Sequence, residues 1–341
     1  MSEQHRIALL GGPSTGKSTY LGALVDALQM EKLQHLRLAG LGDDAIGLQR
    51  LAEPLLGGHY PQRTKAVERL SLDAPLRTAG SYFNPVSFTL RAGDYDGEEV
   101  ERLFRDRIHG WSEEWKARAF SSGFLLLVRP DALTRLPRPQ PTSEPDERER
   151  WRLLRNEPVA APSTPRSGPT PEASTNASAY FGPLPVEEVP PTPRASASDP
   201  VSVPTALSLI ELLQFIRHVR GLTPGERPRT SQERFRIALV LTAWDTVDSS
   251  WRQAGPAAYL AHNLPLLEDY LWSNFLPDDV FRFGLSATGG DLNDATYGQR
   301  YLEDPSGFVE WWEGAQGSRR SADIGMPLYW LLFGDRALGA P

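Results

Sequence analysis

Apolar residues fall into short unbroken runs separated by stretches of helical spacing, the pattern of buried parallel strands alternating with helices. Arg6-Ile7-Ala8-Leu9-Leu10, Phe124-Leu125-Leu126-Leu127-Val128, Phe235-Arg236-Ile237-Ala238-Leu239-Val240-Leu241 and Val280-Phe281-Arg282-Phe283-Gly284-Leu285 are runs of this kind. Two segments alternate instead and predict half-buried strands in a hairpin-like pair: Thr64-Lys65-Ala66-Val67-Glu68-Arg69-Leu70-Ser71-Leu72 and Pro85-Val86-Ser87-Phe88-Thr89-Leu90-Arg91. Helical spacing covers 19–28, 43–56, 98–118, 205–216, 255–275, 308–314 and 326–333. This order predicts an α/β fold, a mostly parallel sheet with helices on both faces.

One segment breaks the pattern. From about 136 to 204 Pro, Ser, Thr and Ala dominate, as in Pro183-Leu184-Pro185-Val186-Glu187-Glu188-Val189-Pro190-Pro191-Thr192-Pro193. Such a stretch buries too little apolar surface to fold alone, so a largely disordered insertion is expected, with one short helix over 147–155. It falls between a strand and the next helix. The folded part is therefore read as a single domain of residues 1–135 and 205–341, with the insertion as a tether, a carrier of Pro-rich docking motifs, or a passive excursion.

Composition narrows the classes. With no cysteine among 341 residues, disulfides and Cys-based metal or redox chemistry are excluded, and the six histidines show no metal-ligand spacing. A net charge of −7 makes nucleic acid an unlikely ligand. The longest apolar runs are far short of the roughly 20 residues of a membrane span, and the N-terminus runs straight into a strand without a signal peptide. A soluble, cytoplasmic protein is expected.

The chemistry begins at Gly11-Gly12-Pro13-Ser14-Thr15-Gly16-Lys17-Ser18, which fits G-x-x-x-x-G-K-[ST], the phosphate-binding loop. A strand precedes it and Thr19 opens a helix after it. Gly11 and Gly16 let the backbone turn its N–H groups inward, and the helix adds its positive end to the same anion hole. Lys17 is expected to reach the β- and γ-phosphates and Ser18 to offer its hydroxyl to Mg²⁺.

Three further stretches bear on which nucleotide binds. Asp94-Tyr95-Asp96-Gly97 matches D-x-x-G at a strand end. The string is expected about once or twice by chance in a chain this long, so position carries the weight. There Asp94 could hold Mg²⁺ through water and the Gly97 N–H could meet the γ-phosphate. Thr242-Ala243-Trp244-Asp245 stands where GTPases carry [NT]-K-x-D; its carboxylate can accept from guanine N1–H and N2 together, a pair adenine lacks. Ala243 replaces the Lys that would pack along the base, a loss Trp244 could offset. Ser286-Ala287-Thr288 is similar to the S-A-K motif, which closes the pocket through a backbone N–H.

In order and spacing the chain resembles the Ras-like, translation-factor-related class of P-loop GTPases over most of residues 5–335 outside the insertion. The resemblance implies a Ras-like topology, GTP or GDP as ligand, Mg²⁺, and hydrolysis of GTP to GDP and phosphate. It requires a Thr closing over Mg²⁺ and the γ-phosphate; Thr64 is the candidate, and Arg63 beside it is read as a solvated arginine or as an arginine finger in cis, the solvated reading being favoured. The residue after the D-x-x-G glycine orients the attacking water and is often Gln. Here it is Glu98, which cannot donate an amide hydrogen bond, so slow turnover and a switch role follow. The P-loop and Thr242-Ala243-Trp244-Asp245 are similar to the bacterial double-GTPase type, expected to act in paired-GTPase conflict or defence systems. A second GTPase or an effector is then the expected partner. Trp111 and Trp115 are read as core residues or as part of a partner surface, core being favoured. Two other readings stay open: a P-loop ATPase or small-molecule kinase, and a nucleotide-binding pseudo-GTPase scaffold.

Overall fold

A computed structural model describes residues 5–40, 45–61, 71–79, 84–93, 111–135, 203–230, 233–312 and 317–339. All of them belong to one unit, which spans Met1–Leu136 and Ser202–Pro341. The expected strand start at 64–70, the first part of the 98–118 helix, and the 147–155 helix lie outside the described residues.

Among the described residues nine strands form one sheet in the order β2-β3-β4-β1-β5-β6-β7-β8-β9. They are β1 (His5–Gly11), β2 (Leu36–Leu38), β3 (Ser71–Thr78), β4 (Ser87–Gly93), β5 (Gly123–Val128), β6 (Arg236–Leu241), β7 (Val280–Ser286), β8 (Phe308–Trp312) and β9 (Ser318–Ser321). The central strands β4, β1, β5, β6 and β7 pair in parallel, and only β3 and β8 run against the rest. The continuous apolar runs are the reason: every residue of β5 is buried, as a strand covered on both faces must be. Successive residues feed opposite cores. Ile7, Leu9, Leu125, Leu127, Ala238 and Val240 point to one face. Ala8, Leu10, Leu126, Ile237, Leu239 and Leu241 point to the other.

The first face is covered by α1 (Lys17–Gln29), α2 (Ala45–Leu56), α8 (Ala295–Glu303) and α9 (Met326–Phe333). The second is covered by α3 (Glu113–Ala119), α4 (Thr205–Val219), α6 (Pro256–Asn263) and α7 (Pro265–Asn274). Both Trp111 and Trp115 are core residues of this second layer. At Gly22 α1 and α2 touch backbone to backbone; an added Cβ would lie 2.4 Å from the Leu51 carbonyl oxygen.

Several elements differ from the expected ones. Where a helix is expected over 308–314, the described residues Phe308–Trp312 form β8, antiparallel to β7. Its period is 2: Val309 and Trp311 enter one core and Phe308 the other, and aromatic and β-branched residues suit a strand. The single helix expected over 255–275 is broken into α6 and α7, preceded by α5 (Ser249–Ala254). Gly255, at φ 90°, and Leu264 separate the three, and Pro256 and Pro265 each begin the next helix. The first strand of the alternating pair continues past its expected end to Thr78. It does form a hairpin-like antiparallel pair with β4, from Ser71 opposite Gly93 to Arg77 opposite Ser87. Pro75, a residue that argues for a turn, lies just beyond the end of the short β2, where its carbonyl accepts from the Ala39 N–H at 3.0 Å.

One buried carboxylate on α1 yields a prediction. Asp26 is 5% exposed, and its Oδ1 has no hydrogen-bond partner among the described residues. Burial raises its pKa, with Lys32 partly opposing. A raised folded-state value means that stability falls as pH rises from the unfolded value, about 3.9, through the folded one. Asp26→Asn is therefore expected to stabilise the protein by about 1 kcal/mol at pH 7. The gain should vanish below about pH 4, as read by urea unfolding at the two pH values.

Candidate functional site

Strand β1 delivers the loop 11–18 at its C-terminal end and α1 leaves it, the strand–loop–helix order the motif requires. Two residues turn the backbone over. Gly16, at φ 80°, caps α1, and Ser14 is held at φ 54°, unusual for a residue with a side chain. At Gly11 a Cβ would lie 2.6 Å from Thr15 Oγ1, so the turn has no room for a side chain there.

The loop's donors are aimed inward. The N–H groups of Ser14, Thr15 and Gly16 donate to no protein acceptor among the described residues. Thr15 Oγ1 donates to the Gly12 carbonyl at 2.9 Å and braces the loop from inside. Lys17 is buried, and its Nζ spans the loop, donating to the carbonyls of Gly11 at 3.0 Å and Gly12 at 2.8 Å. A cation and free N–H groups around one concavity fit the phosphates of a nucleotide. Pro13, Ser18 and Thr19 are half-buried around this loop. Ser18, in the first turn of α1, has no hydrogen bond from its hydroxyl among the described residues, which leaves that oxygen free to take Mg²⁺.

The end of β6 is bonded directly to the loop. Thr242, 4% exposed, donates from Oγ1 to the Thr15 carbonyl at 2.8 Å, and its N–H donates to Val128 at 2.9 Å. A Cβ at Gly16 would lie 3.7 Å from the Thr242 side chain. Beyond Thr242, Ala243 takes the left-handed conformation at φ 49°, and Trp244–Thr246 form a single 3-10 turn. That twist sends the two neighbours in opposite directions. Asp245 is half-buried, and its carboxylate has no hydrogen-bond partner among the described residues.

Trp244 does not flank a base. Its ring is fully buried and donates from Nε1 to Glu310 Oε2 on β8 at 2.8 Å. It packs on Gly284, where a Cβ would come within 2.5 Å of the indole, and meets Tyr259 edge-on at 5.9 Å. The expected compensation for the missing Lys therefore does not come from this ring, which instead anchors the turn.

The 286–292 loop at the end of β7 is pinned from both sides. Ser286, 1% exposed, accepts from the Gly289 N–H at 2.9 Å, and Thr288 Oγ1 donates to Gly290 at 2.8 Å. Ala287 is half-buried between them. Tyr297 of α8 donates to the Thr288 carbonyl at 2.7 Å. Tyr60 donates to Asp291 Oδ1 at 3.2 Å and accepts from the Leu292 N–H at 3.1 Å. Burial raises the pKa of both phenols, which keeps them as donors; Asp245 adds to the rise at Tyr297 and so lies within its electrostatic reach. Sequence reasoning missed both tyrosines, which sit far along the chain or in an unpredicted helix. Asp294 caps that helix by accepting from the N–H groups of Thr296 and Tyr297, the one local signal that could have announced it.

The structure thus brings together Gly11, Pro13, Ser14, Thr15, Gly16, Lys17, Ser18 and Thr19 with Thr242, and sets Asp245 near the loop of Ser286, Ala287 and Thr288. Arg63, Thr64, Asp94, Gly97 and Glu98 lie outside the described residues.

No curated protein matches the chain at a significant level. Among solved structures, the chain is similar to one from the signal recognition particle receptor SRb-GTP/SRX complex of Chaetomium thermophilum. The identity is 11%, covering 89% of this chain and 99% of that one, at a TM-score of 0.33. It is also similar to the bacterial selenocysteine-specific elongation factor EF-Sec. There the identity is 13%, over 93% of this chain and 33% of that one, at a TM-score of 0.30. The model of one family, Double-GTPase 1, matches residues 8–331. That span contains the phosphate loop, the Asp245 turn and the 286–292 loop, and the chain belongs to the Double-GTPase 1 family of GTP-binding P-loop proteins.

Proposed function

We propose that the protein binds GTP with Mg²⁺, hydrolyses it slowly to GDP and phosphate, and works as a molecular switch. The observation that carries this reading is the 2.8 Å bond from Thr242 to Thr15, which ties the end of β6 to the phosphate loop, with the Asp245 turn following directly. Lys17 and the loop N–H groups bind the phosphate oxygens. Asp245 accepts from the guanine edge, and the backbone around Ala287 closes on the base oxygen. Ser18, Thr64 and Asp94 would hold Mg²⁺, which when bound neutralises charge on the β- and γ-phosphates. In this reading the Gly97 N–H would meet the γ-phosphate, Glu98 would take the place of the residue that orients the attacking water, and Arg63 would serve as an arginine finger in cis. The working unit is a single GTPase domain of 1–135 and 205–341, interrupted by the 136–204 insertion. It acts in the cytoplasm with a protein partner, a second GTPase or an effector, in a bacterial defence or conflict system.

Glu98 sets the rate. A carboxylate accepts a proton from water but donates no hydrogen bond to the transition state, and it adds negative charge beside an anionic phosphate. Single-turnover hydrolysis without a partner is expected on the order of 10⁻⁴ to 10⁻³ s⁻¹. Glu98→Gln should raise it severalfold, and turnover near 1 s⁻¹ by the isolated wild type would contradict the assignment. Ala243 and Glu98 favour one second reading, a pseudo-GTPase scaffold, which the same assay detects as tight GTP binding with no turnover.

A further inference from the structure

A cavity of about 380 Å³ opens beside the 286–292 loop, with Gly289, Tyr297, Arg300, Gly307, Phe308 and Arg320 in its lining. Its size falls within the range of small-molecule sites. Its walls are tight. A Cβ at Gly289 would lie 2.3 Å from the Ser306 carbonyl oxygen, and one at Gly307 would lie 2.7 Å from that of Ala287. The nucleotide reading uses neither Arg300 nor Arg320.

Two guanidinium groups converge here. Arg300, on α8, has no hydrogen bond or ion pair among the described residues. Arg320, on β9, lies over the Phe308 ring with its guanidinium carbon 3.6 Å from the ring centre, a cation–π contact that favours this position. Both line the same cleft as the Tyr297 phenol. Among the described residues Arg320 forms one ion pair, with Glu310 at 3.5 Å, whose other oxygen accepts from Trp244, and Asp245 lies within electrostatic reach of Tyr297 on the same cleft. The lining of the cleft itself holds two guanidinium groups and, among the described residues, no carboxylate, and their planar donors suit paired oxygens.

We propose that this cleft is a second anion site, which binds a phosphate-bearing small molecule between Arg300 and Arg320. The site is also wired to the guanine turn. An anion that draws Arg320 from Glu310 acts on the carboxylate that holds Trp244, the residue next to Asp245. Occupancy should therefore change the release rate of nucleotide.

Inorganic pyrophosphate is a suitable probe, titrated by calorimetry at fixed ionic strength into full-length protein saturated with a nonhydrolysable GTP analogue and Mg²⁺. Lys17→Ala protein without nucleotide serves as a parallel arm. The analogue fills the phosphate loop and Lys17→Ala disables it, so binding in both arms reports a different site. If the analogue fails to bind, the nucleotide reading fails, and the Lys17→Ala arm still tests the cleft. One saturable equivalent is expected, weakened roughly ten- to hundredfold by Arg300→Gln and likewise by Arg320→Gln. Retained binding of the GTP analogue by both variants, each at an exposed residue, shows that they fold. Absence of saturable binding would overturn the proposal, as would binding that either variant leaves unchanged.

Discussion

Lys17→Ala is expected to weaken GTP and GDP binding by roughly a hundred- to a thousandfold while leaving the protein folded. The side chain is buried, and its Nζ bridges the Gly11 and Gly12 carbonyls at the mouth of the loop. From there it can reach phosphate oxygens as a charge-assisted donor, each such bond contributing about 1.5–3 kcal/mol. Two such bonds at the lower end of that range, about 3–4 kcal/mol together, give the stated loss of affinity. The fold does not depend on them, because α1 is held by Tyr20, Leu24 and Leu28 in the core. Lys17→Arg should not restore binding, since a planar fork cannot occupy the place of a compact ammonium. Fluorescent-nucleotide titration with thermal melting beside it checks both halves. A GTP affinity within about threefold of wild type would contradict the phosphate-loop assignment.

The largest effect on stability is expected at Trp244. Its ring is fully buried, packs against the Gly284 backbone, and donates to Glu310. Trp244→Ala should destabilise the protein by about 3–5 kcal/mol through the cavity and the loss of the donor to Glu310 Oε2. Trp244→Phe should lose less, because it keeps most of the apolar contact and gives up the Nε1 bond. The change is not confined to stability. Asp245 follows this residue directly and Thr242 lies two before it, so guanine affinity should fall in both variants even where the protein remains folded. Urea unfolding midpoints give the first number and nucleotide titration the second. A midpoint shift under about 1 kcal/mol for Trp244→Ala would contradict the anchoring role.

The two residues also show what a sequence can and cannot tell. Lys17 was legible because the phosphate loop is local: strand, turn and helix occupy adjacent residues, and each part has its own chemical signature. The central strands were legible for a similar reason, since unbroken runs such as Phe124-Leu125-Leu126-Leu127-Val128 have no other use in an α/β protein of this length. Trp244 was visible but its direction was not. Whether its ring turns to the base or to the core depends on the left-handed Ala243 and on Glu310, 66 residues away. Tyr60 and Tyr297 could not be found at all, because what they hold is a loop closed by tertiary contacts. The β8 strand was misread because five residues cannot distinguish a helical from an alternating period until the two cores on either side are known.

Guanine selectivity tests the central claim most directly. Fluorescent GTP, GDP and ATP should be titrated with Mg²⁺ against wild type and Asp245→Asn. The account predicts that guanine nucleotides bind the wild type roughly a hundredfold tighter than ATP, from two charge-assisted bonds to one carboxylate. Asp245→Asn should erase most of that difference while leaving ATP binding unchanged. ATP binding equal to or tighter than GTP binding, with Asp245→Asn silent, would contradict the account.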